Sequence, residues 1–327
     1  MIHASAPGRC SIIGNPTDMY GGTVLSCSIP LRASVTVRES DVLTLATAGQ
    51  ERQLRSADDY VRHNDFFDYP KVTIRFLHLT EARLRIEYDS DIPYQSGLSS
   101  STAMLAALTA ALLEYQGQRF GPHYFAEYIR SIELNRMVIM CGYQDAYMVT
   151  FGGLNFIEFR GKQYYRPVDE ELFATVERLD GYLPALPFIL AHTGVQRVSG
   201  TVHKPLRQRW EDGEAAVVDG YVAIEELARR GKRALLLHDW ETLGRLMNEN
   251  HAIQRDLGGS GPENERFIAA ALTAGALGAK LAGAGSGGTI IALHPDPTSL
   301  EPALRAAGAH VIVYPRLVPG VTVERAA

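Results

Sequence analysis

The segment from residue 93 to residue 115 constrains the fold of this chain more than any other. It opens with PYQSGLSSS and continues into TAMLAALTAALLEY, in which almost every residue is apolar. A helix that is apolar on all sides is usually buried, so this one predicts the core of a globular domain. Several backbone N–H groups in its serine-rich first turn lack intrahelical partners, which makes that turn the first candidate for a binding site.

The rest of the chain mixes strand and helix patterns without regular alternation. Strands are predicted, from alternating β-branched residues, over residues 22–38, 71–77, 83–88, 151–159, 188–193 and 309–315. Helices are predicted over residues 122–140, 204–230, 233–251 and 262–276. This irregular order favours an α+β fold over a doubly wound sheet. A proline-rich stretch near residue 185 predicts a boundary between an N-terminal domain (1–178) and a C-terminal domain (179–327).

Composition and charge exclude several kinds of partner. The formal net charge is −5 and the basic residues form no long run, whereas nucleic-acid binding needs concentrated Lys and Arg. No apolar segment approaches the roughly 20 residues that span a bilayer, and the N-terminus lacks a signal-peptide pattern. Cys10, Cys27 and Cys141 have no zinc-ligand spacing. We therefore predict a cytoplasmic protein with reduced thiols, no nucleic-acid partner and no membrane partner.

Three glycine-rich or serine-rich segments are candidates for phosphate binding. In PYQSGLSSSTA (93–103), glycine permits close backbone approach and the helix N-terminus attracts anions, although a serine N-cap explains the same residues. GAKLAGAGSGGT (278–289) can cradle a phosphate or let two backbones approach closely. APGRCSIIGNPTDMYGG (6–22) suits hydroxyl and phosphate recognition, or a strand followed by two turns. No Walker loop, GxxxxGK[ST], is present.

Taken together and in this order, the three segments resemble the motifs of the GHMP kinases. The resemblance extends over nearly the whole chain. It implies a two-domain α+β fold, with an N-terminal domain like ribosomal protein S5 domain 2, a ferredoxin-like C-terminal domain and the active site between them. It also implies ATP and Mg²⁺ as cofactors, and either a monomer or a homodimer.

A fourth segment, IELNRMVIMCGYQDAY (132–147) followed by FGGLNF, is similar to the sugar-kinase branch of that family. The resemblance implies that Asp145 is the catalytic base and that Arg9 stabilises charge on the transferred phosphoryl group. It implies Glu133 and Ser101 as Mg²⁺ ligands, with Ser100 as the competing choice. The motifs imply that the cofactor-binding residues are Pro93, Gly97, Leu98, Ser99, Ser100, Ser101, Gly283, Gly285, Ser286 and Gly287.

The substrate predicted from these resemblances is an acidic sugar. Asn15 and Pro16 replace the Glu–His pair of galactokinases, which argues against galactose. The GNPTDMYGG turn and much of the second half, including LRQRWEDG (206–213), resemble the glucuronokinases. We therefore expect phosphorylation of the anomeric hydroxyl of a uronic acid, with glucuronate first. A heptose or heptose-7-phosphate kinase and a non-catalytic sugar and nucleotide sensor are the alternatives.

The predicted substrate contacts are Asn15, Asp18, Gln144, Tyr147, Arg197 and Arg207. A guanidinium group matches a carboxylate with two parallel hydrogen bonds, so the two arginines are candidates for the uronate carboxylate. For each arginine taken singly, a solvated helix face is the preferred explanation.

Overall fold

The computed structural model describes residues 1–162, 170, 172–183, 185–195, 199–283, 285 and 288–326. Its strands within these residues are β1 (Ile2–Ile13), β2 (Thr23–Glu39), β3 (Thr44–Thr47), β4 (Gln50–Gln53), β5 (Leu84–Ser90), β6 (Leu154–Glu158), β7 (Thr175–Arg178), β8 (Phe188–His192), β9 (Gly278–Leu281), β10 (Thr289–Leu293), β11 (Val311–Val313) and β12 (Thr322–Arg325). Its helices are α1 (Asp68–Phe76), α2 (Ser100–Tyr115), α3 (Pro122–Ser131), α4 (Gln144–Phe151), α5 (Ser199–Glu211), α6 (Ala215–Leu236), α7 (Trp240–Asp256), α8 (Pro262–Thr273) and α9 (Glu301–Ala306).

These strands form two sheets. The larger sheet has the order β12–β1–β2–β5–β3–β4, with β6 beside β2 and β7 beside β6. All its pairings are antiparallel except that of β3 with β5. The smaller sheet has the order β11–β8–β10–β9 and is antiparallel throughout. The predicted α+β fold is confirmed.

The apolar helix predicted from the sequence is α2, and it lies in the core against β1 and β2. Every residue from 102 to 113 is buried except Met104, which is half-buried. The helix therefore has no solvated face along most of its length, which explains its unbroken apolar sequence. Its serine-rich start is held at one end of this core.

Four of the predicted elements are wrong in type or length. Residues 71–76 belong to the helix α1, because a period-two pattern over seven residues does not exclude a helix and Ile74 is buried in the core beside α2. The helix predicted over residues 122–140 ends at Ser131 and continues as a π-helical turn, Ile132–Arg136.

The second half contains the other two errors. The helix predicted over residues 204–230 is divided into α5 and α6, because Gly213 has a left-handed φ of 72°. The helix predicted over residues 233–251 begins only at Trp240, where Asp239 caps α7 through the amide of Thr242. In both places a local cap or turn overrides the hydrophobic periodicity.

The two sheets divide the chain near residue 178. The strands β1–β7 belong to the larger sheet and β8–β11 to the smaller one, while β12 returns to pair with β1. The domains at residues 1–178 and 179–327 therefore stay a prediction. The prediction did not include the return of β12, a strand from the second half of the chain, to the larger sheet. Within the described residues, no helix combines the length and apolar character needed to cross a membrane.

Candidate active site

The three motifs meet where β1, the start of α2 and the end of β9 converge. The amide of Arg9 donates to the carbonyl oxygen of Leu98 at 3.2 Å, and the amide of Ser11 donates to that of Ala282 at 3.1 Å. A Cβ at Gly8 would lie 2.7 Å from the Leu98 carbonyl oxygen, so only glycine permits this approach. Backbone contacts thus hold the first motif against both of the others.

A cleft opens at this junction. Its described lining consists of Arg9, Asn15, Pro16, Asp18, Met19, Tyr69, Tyr94, Gln95, Ser96, Gly97, Ser99, Ser100, Ser101, Glu133, Ile139, Met140, Cys141, Gly142, Gln144, Asp145 and Gly283. Arg9 is the one cation among these lining residues, whereas Asp18, Glu133 and Asp145 are all acids. The cleft is therefore suited to a ligand that brings cations or hydroxyl groups with it.

Asp145 stands in the first turn of α4 and is oriented by Arg9. Its Oδ1 accepts hydrogen bonds from Arg9 Nε at 2.8 Å and from Arg9 Nη2 at 2.5 Å. Arg9 Nη1 also donates to the carbonyl oxygen of Gly97 at 2.7 Å. The guanidinium is buried, while a third of the Asp145 side chain remains exposed to the cleft. This carboxylate can accept a proton from a bound hydroxyl group.

Glu133 lies on the π-helical turn after α3 and faces the start of α2. Its Oε1 accepts from Ser101 Oγ at 3.0 Å and its Oε2 from Thr102 Oγ1 at 2.9 Å. Burial, together with the nearby Asp145, raises the pKa of Glu133 to about 7. None of the described ion pairs includes Glu133. A buried carboxylate without a paired cation, next to a serine hydroxyl, is a donor set that fits one Mg²⁺.

The serine turn before α2 lines the same cleft with Ser96, Ser99, Ser100 and Ser101. Ser99 has a left-handed φ of 64°, and the Oγ atoms of Ser96 and Ser99 are buried without a hydrogen-bond partner among the described residues. Ser100 Oγ instead donates to the carbonyl oxygen of Ile92 at 3.3 Å. Of the two serines proposed as metal ligands, Ser101 is therefore the one that contacts Glu133. Orphaned hydroxyl groups at a helix N-terminus suit a phosphate.

Asp18 is held by the N-terminus of α4. Its Oδ2 accepts from the backbone amides of Tyr143 at 2.7 Å and Gln144 at 2.9 Å. Glycine is required at position 142 because a Cβ atom there would lie 2.0 Å from that oxygen. Burial is the largest cause that raises the pKa of Asp18, to about 6, and Asp145 adds to it. Asp18 thus lines the cleft as a fixed polar group, suited to sugar hydroxyls.

We expect Asp18→Asn to stabilise the fold above pH 6. Because folding raises the pKa of Asp18 from about 3.9 to about 6, the free energy of unfolding falls as pH rises between these values. The amide removes this loss and still accepts the two backbone hydrogen bonds. Urea melts should show a gain of about 1–3 kcal/mol above pH 6 that vanishes near pH 4. Asp41→Asn, at an exposed position, is the control; a gain that grows toward low pH would contradict the prediction.

Several predicted site residues do not line the described cleft. Tyr147 is a correction: it is fully buried, and its hydroxyl donates to Glu127 Oε1 at 2.6 Å, so it belongs to the core. Arg207 lies on α5 with its Nε 3.9 Å from Glu211 Oε1. Leu98 is fully buried and contributes its carbonyl group. Arg197, Ser286 and Gly287 lie outside the described residues.

A second cavity adjoins the first and shares Tyr69, Tyr94, Ser100 and Ser101 with it. Its remaining lining is Thr47, Ala48, Phe66, Tyr88, Asp89, Ser90, Asp91, Ile92, Pro93 and Met104. Phe66 and Tyr94 are both exposed and their ring centroids lie 5.3 Å apart. This aromatic cavity, next to the serine turn, suits a flat base. The predicted cofactor residue Pro93 lies here, and Gly285 lies against the carbonyl of Gly259, where a Cβ would be 1.6 Å from the oxygen.

Among the residues of the site that sequence reasoning missed are Thr102, Ser96, Lys280 and Tyr69. Thr102 and Ser96 stand beside predicted residues and could have been found from that proximity. Lys280 is a charge inside an otherwise apolar strand, which is itself a signal. Tyr69 carries no sequence signal, because its place in the cleft depends on how α1 lies beside α2.

Comparison with known proteins identifies the family. The profile described as "GHMP kinases N terminal domain" matches residues 68–153, and "GHMP kinases C terminal" matches residues 224–313. A "Galactokinase galactose-binding signature" matches residues 2–39. These are the regions that contain the first motif, the serine turn with Asp145, and the last glycine-rich turn.

Full-length relatives agree with these profiles. Glucuronokinase 1 of Arabidopsis thaliana is 28% identical over 92% of this chain and 88% of its own. A mevalonate kinase of Pyrococcus furiosus is 26% identical over 99% of this chain and 98% of its own. The solved structure of a D-glycero-D-manno-heptose 1-phosphate kinase from Bacteriodes thetaiotaomicron matches 100% of both chains, with a TM-score of 0.74 and 21% identity. That structural likeness establishes the fold.

The fold, the cleft and these relatives define a phosphotransferase that uses ATP. The chain belongs to the GHMP kinases, with both the N-terminal and the C-terminal domain of that family.

Proposed function

We propose that the protein transfers the γ-phosphate of ATP to the anomeric hydroxyl group of a uronic acid, with D-glucuronate as the substrate. The observation that carries the transfer is the Asp145 carboxylate, which Arg9 orients toward a cleft that also holds the serine turn and Glu133. Similarity to a glucuronokinase over most of both chains supports the choice of sugar.

The described residues support distinct roles in this reaction. Asp145 accepts the proton of the sugar hydroxyl as its oxygen forms a bond to the γ-phosphorus and ADP leaves. Arg9 orients Asp145 and lies close enough to the reacting centre to offset negative charge. Asp18 and Gln144 line the same cleft as Asp145, where they can bind sugar hydroxyls. In phosphoryl transfer, positioning and charge neutralisation supply most of the catalysis.

The nucleotide would occupy the two adjoining cavities. The aromatic cavity around Phe66 and Tyr94 suits the adenine ring, and the serine turn, whose Ser96 and Ser99 line the adjoining cleft, suits the phosphates. Mg²⁺ would be held by Glu133 and Ser101, where it would neutralise charge on the phosphate oxygens. In the described part of the chain no cluster of three His, Cys, Asp or Glu residues could bind a metal, which agrees with an ion that keeps most of its ligands as water and phosphate.

A panel of acceptor sugars tests this function. ADP release is measured with Mg-ATP and glucuronate, galacturonate, galactose, glucose, arabinose, fucose, mannose or heptose 7-phosphate. We expect glucuronate to exceed glucose, which differs only at C6, by at least about 10²-fold in kcat/KM, because a site built for a carboxylate loses its charge-assisted hydrogen bonds with the neutral hydroxymethyl group of glucose. The product should lose its reducing end, as phosphorylation at the anomeric position requires.

Other outcomes of the panel separate the alternatives. If heptose 7-phosphate were the preferred acceptor, the proposed substrate would be a heptose phosphate and not a uronic acid. Clear ATP binding without turnover of any sugar would favour a sensor and contradict the proposal.

A further inference from the structure

A buried lysine connects the two sides of the cleft. Lys280 on β9 is fully buried, and its Nζ donates to Asn15 Oδ1 at 2.6 Å and to the carbonyl oxygen of Leu281 at 2.6 Å. Asn15 Nδ2 in turn donates to the carbonyl oxygen of Gly283 at 2.8 Å. These bonds run from the smaller sheet to the first motif and back to the glycine-rich turn.

Both ends of the Asn15 side chain are therefore engaged by the protein. Asn15 is buried, although it lines the cleft three positions before Asp18. The preceding amide, that of Gly14, is held by Asn250 Oδ1 at 3.0 Å. The loop that carries Asp18 is thus fixed from the second half of the chain at two consecutive residues. This arrangement fits a fastening role for Asn15 better than the predicted sugar contact.

The cost of burying Lys280 indicates that it does more than fill space. Within the described residues it forms no ion pair with a carboxylate, and burial, with a smaller contribution from Arg9, lowers its pKa to about 7. Removing an ammonium group from water without a counter-ion is expensive, and an apolar side chain of similar volume would serve packing as well or better. The role of Lys280 therefore lies in the two hydrogen bonds that its ammonium group donates.

We propose that Lys280 is a positioning residue that, through Asn15, fixes the glycine-rich turn at Gly283 against the loop that carries Asp18. The inference rests on the proposed function, in which Asp18 binds the acceptor sugar, and on the sequence prediction that the glycine-rich turn at Gly283 binds the cofactor. Transfer requires the two substrates to meet in near-attack geometry, and a displacement of about 1 Å can cost about 10²-fold in rate. The bonds that join Lys280, Asn15 and Gly283 connect the loop to the turn and so control that alignment.

Kinetics of Lys280→Met, Asn15→Ala and the double variant test the proposal. Each single variant should lower kcat by about 10- to 100-fold while the KM values for ATP and for the sugar change by less than about 3-fold. Because Lys280 acts through Asn15, the double variant should lose no more than the worse single one. Losses that multiply, or wild-type kcat in Lys280→Met, would overturn the proposal.

Lys71→Met is the matched control. Lys71 is also buried, but it is on α1 and donates to the carbonyl oxygen of Val61 outside the cleft. Its replacement should leave kcat within about 2-fold of wild type. If Lys280→Met fails to fold, the kinetics of Asn15→Ala alone test the proposal. Loss of kcat at constant sugar KM supports the fastening role, whereas a raised sugar KM at constant kcat would make Asn15 a direct contact and overturn it.

Hydrogen exchange provides a readout that does not need turnover. The peptide covering residues 278–293 should exchange faster in both single variants than in wild type, with no further increase in the double variant. Unchanged exchange in Lys280→Met would overturn the proposal. Should the wild-type protein phosphorylate none of the sugars, the proposed function fails while this exchange measurement still tests the contact.

Discussion

Asp145→Asn is expected to lower kcat by about 10³-fold and to leave ATP affinity within a few fold of wild type. A positioned base contributes about 10²–10⁴-fold to proton transfer, and an amide cannot accept the proton. The side chain of Asn has the same shape, and its carbonyl oxygen can still accept from Arg9 Nε, where Asp145 Oδ1 now lies 2.8 Å away. Positioning is therefore preserved while the base is lost.

Single-turnover phosphoryl transfer and nucleotide titration measure the two quantities separately. Asp219→Asn, at an exposed position on α6, is the matched control and should retain full activity. If Asp145→Asn kept wild-type turnover, Asp145 would have no role as the base. If it lost ATP binding as severely as turnover, the carboxylate would serve to build the site and not to accept a proton.

The sequence predicts the acidic and basic groups of this site better than their contacts. Arg9, Asp18, Glu133 and Asp145 all lie in recognisable motifs, and all line one cleft. The bond between Lys280 and Asn15 joins residues 265 positions apart, and nothing in local patterning indicates such a pair. The fold class was accessible because α2 is apolar on every side, a property that burial alone explains.

Tyr147 shows what local structure adds to a motif. It stands two positions after Asp145 in QDAY, and both residues lie on α4. Two positions on a helix differ by about 200° around its axis, so a helix that turns Asp145 toward the cleft must turn Tyr147 away from it. Had residues 144–151 been predicted as a helix, this geometry would have excluded Tyr147 as a substrate contact.

The strand wrongly predicted at residues 71–77 has a different cause. Lys71, Thr73 and Arg75 alternate with apolar residues, which is the pattern of a half-buried strand. In the structure Lys71 and Thr73 are buried as well, because the Nζ of Lys71 finds the Val61 carbonyl and Thr73 Oγ1 donates to that of Tyr69. Because polar side chains can be buried when they form hydrogen bonds inside the fold, a polar residue in the pattern does not mark an exposed position.

Two buried glutamates separated by six positions offer the sharpest test of the metal site. Glu127 on α3 accepts from Lys162 Nζ at 2.7 Å and from the Tyr147 hydroxyl at 2.6 Å. Glu133 accepts only from the hydroxyls of Ser101 and Thr102 among the described hydrogen bonds. The first carboxylate is paired with a cation within the fold, whereas the second has none among the described ion pairs and can bind one from solution.

Replacing each by glutamine should therefore produce opposite effects. We expect Glu133→Gln to lower kcat/KM by about 10²-fold or more and to raise the Mg²⁺ concentration for half-maximal activity, because the amide cannot supply a negative charge to the ion. Its melting temperature without nucleotide should rise, since an unpaired buried carboxylate is removed. Glu127→Gln should lose about 3–5 kcal/mol of stability, because it removes the carboxylate from a buried ion pair with Lys162. The Mg²⁺ response of the folded fraction should stay that of wild type.

The metal assignment requires that Glu133→Gln changes the Mg²⁺ response and raises the melting temperature, whereas Glu127→Gln lowers the stability and leaves the Mg²⁺ response unchanged. Mg²⁺ activation curves and thermal melts are recorded on the same preparations, with Glu127→Gln assayed at a temperature where it remains folded. If Glu133→Gln kept the wild-type Mg²⁺ dependence, its bonds to Ser101 and Thr102 would serve only to join the π-helical turn to α2. If both variants lost stability alike, the carboxylate of Glu133 would be part of the same structural network as Glu127, and the ion would have to bind elsewhere in the cleft.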